Sequence, residues 1–392
     1  MEKAKKQFKV PLLAAVIAAI IAGILGGIVL PDGIIRIFLT FNSLFSSFLG
    51  FVVPLLILGL IAPGIADLGA KAGKLLLITL ILAYGFTLFS GFFTYFVCKY
   101  SFPYLLGSIA GNADLLDTAA ASSLKPFFTI DMSPIMGVTS ALILAFMLGL
   151  GIAACDAKSL KKVMEEFKDI IYKTIYKIII PLLPIYIFGI FMDITVSGQV
   201  AGVLSVFIKL VALIFLITIV MLMIQFVIAG LVSGKNPFVA LKNMLPAYAT
   251  ALGTQSSAAT IPVTLKQTIG NGVSENVASF VVPLCATIHL SGSTMKIVAC
   301  SLAIMMISAM PFDLYTYSGF IMMLGITMVA APGVPGGAIM AALGILSSML
   351  GFDDKALALM IALYIAMDSF GTACNVTGDG AIALIINKIY KP

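Results

Sequence analysis

The stretch Asp368-Ser-Phe-Gly-Thr-Ala-Cys-Asn-Val-Thr-Gly-Asp379 lies inside an apolar run that extends over about residues 356–387. Asp368, Thr372, Asn375 and Asp379 follow one another at intervals of three or four residues, which places them on one face of a helix. A carboxylate at the centre of a membrane helix costs at least about 2.5–3.5 kcal/mol. Two carboxylates on one face therefore indicate a site for a cation, an ammonium group or a proton; the alternative is a structural polar seam between helices.

The composition of the whole chain agrees with a membrane environment for this run. Of its 392 residues, 61% are hydrophobic and 10% are charged, and the mean hydropathy is +1.15. Soluble domains carry about 25% charged residues. The composition therefore predicts an all-α polytopic membrane protein without a separate soluble domain. The five cysteines are scattered and odd in number, which argues against a disulfide framework or a metal cluster.

The positions of the basic residues, rather than the net charge of +6, carry the topological information. Most lysines fall in alternate loops, which predicts that these loops and both termini are cytoplasmic, whereas Arg36, Lys99, Lys125 and Lys355 are external. The first apolar run is longer than the core of a signal peptide, so we predict a retained span, with a cleaved signal peptide as the alternative. The predicted spans cover about 10–30, 37–62, 75–97, 133–154, 176–195, 199–232, 276–310 and 356–387.

Two further apolar stretches, at about 246–272 and 320–350, are interrupted in the middle. The first contains Ala249-Thr-Ala-Leu-Gly-Thr-Gln-Ser-Ser-Ala-Ala-Thr-Ile-Pro-Val263, and the second contains Val329-Ala-Ala-Pro-Gly-Val-Pro-Gly-Gly-Ala338. Unwound backbone at membrane depth survives only beside protein or a water-filled cavity, and paired interruptions of this kind are typical of transporter binding sites. We expect both stretches to enter and leave on the same side of the membrane, although either break alone could be a helix kink.

A third polar break, Thr287-Ile-His-Leu-Ser-Gly-Ser-Thr294, interrupts the seventh span. Its unwound carbonyl groups would suit a hard cation, which prefers oxygen ligands. His289 is the sole histidine of the chain and serves either as a structural hydrogen-bonding group or as a proton carrier. Lys296 follows within the same span and requires a partner that the sequence does not identify.

These segments together resemble the dicarboxylate/amino acid:cation symporter family, the glutamate-transporter homologues. The matching motifs are Ser256-Ser-Ala-Ala-Thr-Ile-Pro-Val-Thr264, His289-Leu-Ser-Gly-Ser293 (a loose match), Gly333-Val-Pro-Gly336, and Asp368 followed by Asn375-Val-Thr-Gly-Asp379. Their order and spacing agree over about residues 245–390. The first 230 residues agree mainly in topology.

The resemblance implies eight transmembrane helices and two re-entrant helical hairpins in an elevator-type homotrimer. Residues 1–72 would hold scaffold and trimerisation helices 1 and 2, and residues 73–98 would hold helix 3 of the transport domain. Residues 99–195 would contain an external loop and scaffold helices 4 and 5. Residues 196–392 would complete the mobile transport domain with helix 6, the first hairpin, helix 7, the second hairpin and helix 8.

The resemblance also assigns roles to individual residues. Asp368 matches the acid that binds the substrate's amino group, and Thr372, Asn375 and Ser257 match groups that hold its carboxylate or neighbouring atoms. The remaining substrate positions are Ser256, Gln255, Gly371, Ser293 and Val334. A first sodium site would use Asp379 with backbone oxygens of Asn375, His289 and Cys285. A second would use oxygens at Thr287, Met328, Val329 and Ala331.

Departures from the family pattern concern the substrate. Members that carry acidic substrates have an arginine four residues before the asparagine, where this chain has Gly371, and some have one at the position of Gln255. An ammonium-binding acid without a second cation predicts a small neutral amino acid such as serine, threonine or alanine. An acidic amino acid or a C4-dicarboxylate is the alternative, and a second carboxylate would then need Lys296, Gln255 or the backbone.

The number of coupled ions is also expected to differ from that of the family. A third sodium site would need oxygen ligands at His289 and Ser291 and at third-span positions that align weakly with Thr79, Leu82 and Ala83. Because these offer no carboxylate, we predict one or two sodium ions. Proton coupling through His289 is the alternative.

Two other functional classes receive less support from the sequence. An ion channel needs a continuous path lined by polar groups, whereas this site is bracketed by two hairpins. An intramembrane enzyme is not indicated, because neither a Ser–His pair with a suitable spacing nor a His-Glu-x-x-His motif stands out. We therefore expect a multi-pass protein of the inner or plasma membrane that transports its substrate without chemical change.

Overall fold

The computed structural model describes residues 12–70, 74–106, 124–198, 200–331, 333 and 335–390. Every regular element within these ranges is helical. Val334, the loop acids Asp114 and Asp117, and the basic residues Lys3, Lys5, Lys6, Lys9, Lys71 and Lys391 lie outside the described residues. The helices are α1 (Leu12–Val29), α2 (Asp32–Ala70), α3 (Lys74–Leu106), α4 (Val138–Ala154), α5 (Lys158–Thr174), α6 (Ile180–Val196), α7 (Val200–Ser233), α8 (Pro237–Asn243), α9 (Leu245–Thr254), α10 (Ser257–Gly270), α11 (Glu275–Ile288), α12 (Ser291–Ile307), α13 (Leu314–Ala330), α14 (Gly337–Leu350), α15 (Asp354–Ala366) and α16 (Asp368–Ile389).

Six helical segments in the described part are long and apolar enough to cross a membrane. They are Asp32–Ala66, Lys74–Leu106, Lys158–Val196, Val200–Ser233, Glu275–Ile307 and Asp368–Ile389. Shorter apolar helices occur within α1, α4, α13 and α14. The all-helical, membrane-spanning architecture predicted from the composition is therefore present, and the number of eight spans stays a prediction.

The lysine-rich segment that the sequence placed in a loop is helical instead. It forms α5, which continues through a π-helical turn at Ile175–Ile179 into α6. Its charged and apolar residues lie on opposite faces, since Met164 and Ile171 are buried while most of its lysines are not. The apolar face packs against α2, where Gly59 lies under Phe167 and Ile171. A high density of lysine thus marks a water-facing helix surface here rather than an absence of structure.

Four interruptions shape the second half of the chain. The seventh span breaks between α11 and α12 at His289 and Leu290, and the last span breaks between α15 and α16 at Met367. Helices α9 and α10 pack together as a first hairpin whose tip is Gln255–Ser256. Helices α13 and α14 pack together as a second hairpin whose tip lies between Ala331 and Gly336. The two hairpin tips and the break at His289 coincide with the polar, glycine or proline residues identified in the sequence, whereas the break at Met367 divides the last predicted span, at about 356–387, directly before Asp368.

The helices pack in two main groups. In the first, α1 packs on α6, and α2 packs on α4, α5 and α6. In the second, α16 is surrounded by α7, α9, α10, α11 and α12, and α3 lies against α12 and α13. The segment that precedes α4 is bonded to α2, because Arg36 Nε donates a hydrogen bond to the Lys125 carbonyl (2.9 Å). The lysine within α7, Lys209, donates to the Leu105 carbonyl at the end of α3 (2.8 Å).

Candidate functional site

Both hairpin tips and both broken spans meet around one small, nearly filled cavity of about 10 Å³. Six of the predicted substrate residues line it, together with four others: Gln255, Ser257, Ser293, Asp368, Thr372 and Asn375, then Leu290, Gly333, Ala338 and Tyr364. These residues come from α10, α12, α14, α15, α16 and the tips and breaks between them. The fold therefore brings residues separated by more than a hundred positions into one closed pocket.

Asp368 is bonded through both of its carboxylate oxygens. Oδ1 lies 2.8 Å from the Nζ atom of Lys296, and Oδ2 accepts a hydrogen bond of 2.8 Å from the Gly336 backbone N–H. Lys296 is fully buried and Asp368 is 3% exposed. The ammonium group of Lys296 also lies 3.7 Å from the centre of the Tyr364 ring, whose face attracts cations. The partner that the sequence left unidentified for Lys296 is thus Asp368.

The ion pair between Lys296 and Asp368 needs a glycine at position 371. A Cβ atom at position 371 would overlap Cε of Lys296 and would lie 2.5 Å from its Nζ atom. The absence of a side chain at 371 therefore gives the lysine its place beside Asp368. The sequence interpretation that no second cation stands near Asp368 is wrong in this respect, because an ammonium group occupies the space in which a side chain at 371 would begin.

A hydrogen-bonded group behind Asp368 joins α12 to α15 and α16. Asn375 Oδ1 accepts from the Gly292 N–H (2.7 Å), and its Nδ2 donates to Ser293 Oγ (3.2 Å). The hydroxyl of Tyr364 donates to the same Ser293 oxygen (3.0 Å). Thr372 donates to the carbonyl of Asp368, one turn earlier in α16 (2.9 Å). These bonds hold the polar side chains in fixed orientations, as a precise binding site requires.

The two hairpin tips touch across the pocket. Ser256 Oγ donates to the Gly333 carbonyl (3.2 Å), so the predicted Ser256 joins the tips rather than lining the cavity. Gln255 adopts a left-handed conformation (φ 52°) and its side chain reaches Ser369 Oγ (3.5 Å). Gly333 is packed so closely that a Cβ atom there would lie 2.6 Å from the Ala286 carbonyl oxygen. The second tip thus sits directly on the end of α11.

The residues predicted for the first sodium site also meet, around Asp379. Its Oδ1 lies 2.9 Å from His289 Nδ1, and both side chains are buried. The Cys285 carbonyl accepts from the His289 N–H (2.9 Å), where α11 ends. Sodium prefers oxygen ligands. The Asp379 carboxylate and the backbone oxygens at the break of α11 fit that preference, although the imidazole already occupies one carboxylate oxygen.

The positions predicted for the second sodium site lie where the second hairpin meets α11. The Met328 carbonyl accepts from the Ala331 N–H at the end of α13 (3.2 Å), and the adjacent Gly333 touches Ala286. Thr287 follows Ala286 and bonds through its hydroxyl to the Leu284 carbonyl (2.7 Å). The last turn of a helix leaves carbonyl groups without an N–H four residues further on, and such oxygens at the ends of α11 and α13 are ligands of the kind that sodium takes.

The third helix contributes neighbours other than those aligned from the sequence. Phe86 lies against the ring of His289 (6.4 Å between centroids), and the hydroxyl of Ser90 donates to the Ser291 carbonyl. Gln225 of α7 donates to Ser291 Oγ (3.2 Å). The contacting α3 residues thus lie about two to three turns beyond Thr79. The sequence alignment of the third span is therefore shifted relative to these contacts, because that span carries no break that would fix its register.

Four lining residues were not among the predicted site residues, and Tyr364 is the one among them that makes polar side-chain contacts; the partner of Lys296 was also missed. Tyr364 lies in an apolar run and has the pattern of a core residue, yet its hydroxyl and its ring both face polar groups. The pairing of Lys296 with Asp368 joins residues 72 positions apart, and neither local spacing nor hydropathy encodes it. The one available signal was energetic, because a buried lysine and a buried aspartate each require a partner.

Comparison with known proteins agrees with this arrangement. The sodium:dicarboxylate symporter family model matches residues 12–389. The chain is 28% identical over 353 residues to "Serine/threonine transporter SstT" of Acinetobacter baumannii (strain AYE), covering 86% of this chain and 87% of the relative. It is 28% identical over 269 residues to "Excitatory amino acid transporter 1" of Rattus norvegicus, covering 65% of this chain and 48% of that relative. Since the family match extends over nearly the whole chain, this multi-pass membrane protein belongs to the sodium:dicarboxylate symporter family.

Proposed function

We propose that this protein is a secondary active symporter that imports a small neutral amino acid (serine, threonine or alanine) with one or two sodium ions. The observation that carries the proposal is the buried Asp368 carboxylate in a closed pocket lined by hydroxyl and amide groups. A carboxylate in such a place binds an ammonium group, and the hydroxyl and amide groups of Ser257, Thr372 and Asn375 suit an α-carboxylate. The name of the bacterial serine/threonine relative supports the same substrate class.

The space in the pocket favours a small substrate. The stem of Lys296 fills the region beside Gly371, and Leu290, Gly333 and Ala338 close the other side. The glycine at position 371, where acidic-substrate members have an arginine, and the nearly filled cavity therefore both favour a small neutral substrate.

An acidic amino acid is the second candidate, and one contact favours it. The ammonium group of Lys296 lies beside Asp368 and could receive a second carboxylate, the role for which other family members use a guanidinium. A C4-dicarboxylate is disfavoured within this candidate, because Asp368 would face two carboxylates and no substrate ammonium group.

Sodium is the proposed coupling ion, with proton coupling as its alternative. Asp379 and the carbonyl groups at the break of α11 supply oxygen ligands for one ion, and the second hairpin with α11 supplies those for another. The contact between His289 and Asp379 favours the alternative, because a protonated imidazole would neutralise Asp379 as a sodium ion does.

The mechanism we propose is an elevator. Helices α1, α2, α4, α5 and α6 form a trimeric scaffold, and α3 with α7 to α16 forms the moving domain. Both termini are cytoplasmic, and the second hairpin is the external gate that closes after sodium and substrate have bound.

The experiment is uptake of radiolabelled L-serine into proteoliposomes under an imposed inward sodium gradient or an imposed proton gradient. We expect uptake with sodium alone, with competition from threonine and alanine but not from aspartate. Competition by aspartate would select the acidic candidate, and uptake with protons alone would replace sodium as the coupling ion. An ion flux that needs no substrate and does not saturate would contradict the symporter.

A further inference from the structure

Both carboxylate oxygens of Asp368 already accept a hydrogen bond. Lys296 Nζ donates to Oδ1 and the Gly336 N–H donates to Oδ2, each at 2.8 Å. A carboxylate oxygen can accept more than one bond, but the cavity beside Asp368 holds only about 10 Å³, so an incoming ammonium group needs the space of one of these donors. Asp368 lies 3% exposed, so the replacement takes place away from bulk water.

Of the two donors, Lys296 is the one that resembles a substrate. Its ammonium group has the same charge, shape and donor number as the α-ammonium group of an amino acid, and it lies at the end of a flexible four-carbon stem. The Gly336 N–H belongs to the backbone of the second hairpin tip, where φ is +71°. The bond from the Gly336 N–H indicates a closed hairpin, because this N–H can reach Asp368 only when the tip lies over the pocket.

The pocket therefore reproduces a substrate-bound arrangement with a residue of the protein in the place of the substrate. A cation neutralises Asp368, and the second hairpin bonds to the same carboxylate. Closing the hairpin over an unpaired carboxylate would bury a lone charge, which is strongly unfavourable. The lysine removes that penalty when no substrate is bound.

We propose that Lys296 is an internal substitute for the substrate's ammonium group. In the substrate-free carrier it pairs with Asp368, so the second hairpin closes and the empty transport domain crosses the membrane. When a substrate binds, its ammonium group displaces Lys296 from Asp368, and the lysine pairs with a carboxylate of the substrate. This inference rests on the proposed amino acid transport and adds to it the step that returns the empty carrier.

The consequence separates two modes of transport. Net uptake requires the empty carrier to return, whereas exchange of internal for external substrate uses the loaded carrier in both directions. Removing the charge of Lys296 while keeping the bulk of its stem should therefore slow net uptake far more than it slows exchange.

The test compares Lys296→Met with the wild-type protein and with Lys209→Met. Lys209 is the matched control, since it is also a lysine within a span but bonds to the Leu105 carbonyl away from the pocket. Proteoliposomes are assayed with radiolabelled L-serine, either empty inside (net uptake) or preloaded with unlabelled serine (exchange). We expect Lys296→Met to lower the ratio of net uptake to exchange at least tenfold at saturating serine, and Lys209→Met to leave that ratio unchanged.

Each other outcome is decisive. Equal net uptake in Lys296→Met and wild type, or a parallel loss of net uptake and exchange in a protein that elutes and melts like wild type, would overturn the role of Lys296. If Lys296→Met does not fold, Lys296→Gln, which keeps a hydrogen-bond donor to Asp368 without the charge, is judged by the same ratio. Absence of exchange of any amino acid by the wild-type protein would instead refute the proposed function, and with it this inference.

Discussion

At the residue scale, the ion pair between Lys296 and Asp368 depends on the glycine beside it. A methyl group at position 371 would overlap the end of the lysine side chain, which can move only by leaving Asp368. Breaking a buried pair of this kind costs about 3–5 kcal/mol. Gly371 thus affects the electrostatics of the pocket, because it leaves room for the ammonium group of Lys296 beside Asp368.

Gly371→Ala should therefore reduce net serine uptake at least tenfold, because it displaces Lys296 from Asp368 and leaves both charges without their partner in the empty carrier. The double variant Gly371→Ala with Lys296→Ala should match Lys296→Ala alone, since the overlap is then absent and the two effects are not additive. The control is Gly85→Ala, whose added Cβ meets no atom within 4 Å. Additive losses in the double variant would refute this explanation. Net uptake rates of all four variants are measured side by side.

His289 yields a second prediction at this scale, in the dependence of sodium binding on pH. Its Nδ1 lies 2.9 Å from Asp379 Oδ1, the oxygen proposed as a sodium ligand. A protonated His289 would compete with sodium for this carboxylate. We expect His289→Asn to remove that competition, so that the sodium concentration for half-maximal exchange depends less on pH in the variant than in the wild type. An unchanged pH dependence in the variant would exclude His289 as the competing group.

At the scale of single elements, the second hairpin can close only because its tip is small. Gly333 approaches the Ala286 carbonyl so closely that a Cβ would lie 2.6 Å from that oxygen. Overpacking at such a contact costs about 1–3 kcal/mol. The tip therefore meets α11 through backbone atoms, and the carbonyl groups proposed as sodium ligands lie at this junction.

Gly333→Ala should weaken apparent sodium affinity by about 5- to 150-fold, which corresponds to that cost. The change holds the tip away from α11 and should leave the fold intact. Gly319→Ala is the matched control on the same hairpin, because its added Cβ would come only within 3.5 Å of Met349 Cε. Titration of exchange with sodium measures both variants. Equal sodium dependence of the two variants would show that the tip contact does not set ion affinity.

The same elements indicate how far sequence reasoning reaches. The hairpins and the break of the seventh span could be predicted because polar, glycine or proline residues interrupt apolar runs, and the stripe from Asp368 to Asp379 follows from helical spacing. The break at Met367 was not predicted, since the residues before it form a continuous apolar run. Residues that meet through packing could not be predicted. Tyr364 has no polar neighbour in sequence that marks it as a pocket residue, and the partner of Lys296 depends on how α12 lies against α16.

At the scale of the whole molecule, the two groups of helices contact each other, and glycines take part in some of these contacts. One such contact joins α2 to the second hairpin, where a Cβ at Gly64 would lie 3.3 Å from Cβ of Ala330. This distance is slightly below the range found in disulfide bonds, so two cysteines here could be linked with little movement. The contact provides a direct way to ask whether one group moves past the other.

A variant with Gly64→Cys and Ala330→Cys, in a background whose five native cysteines are replaced, should lose transport on oxidation. Dithiothreitol should restore it, because the link would fix the proposed moving domain to the scaffold. The two single-cysteine variants are the controls and should be insensitive to oxidation. Full transport with a crosslink verified by gel shift would contradict the proposed elevator movement.

The pairing of Lys296 with Asp368 has a consequence for the energy that the membrane potential supplies. One elementary charge carried across the whole membrane gains or loses about 2.3 kcal/mol per 100 mV. A lysine and an aspartate that travel together contribute no net charge, so voltage does no work on this pair when the empty carrier returns. The voltage dependence of transport would then come from Asp379, His289 and the accompanying ions, and transient currents recorded without substrate would measure that group by itself.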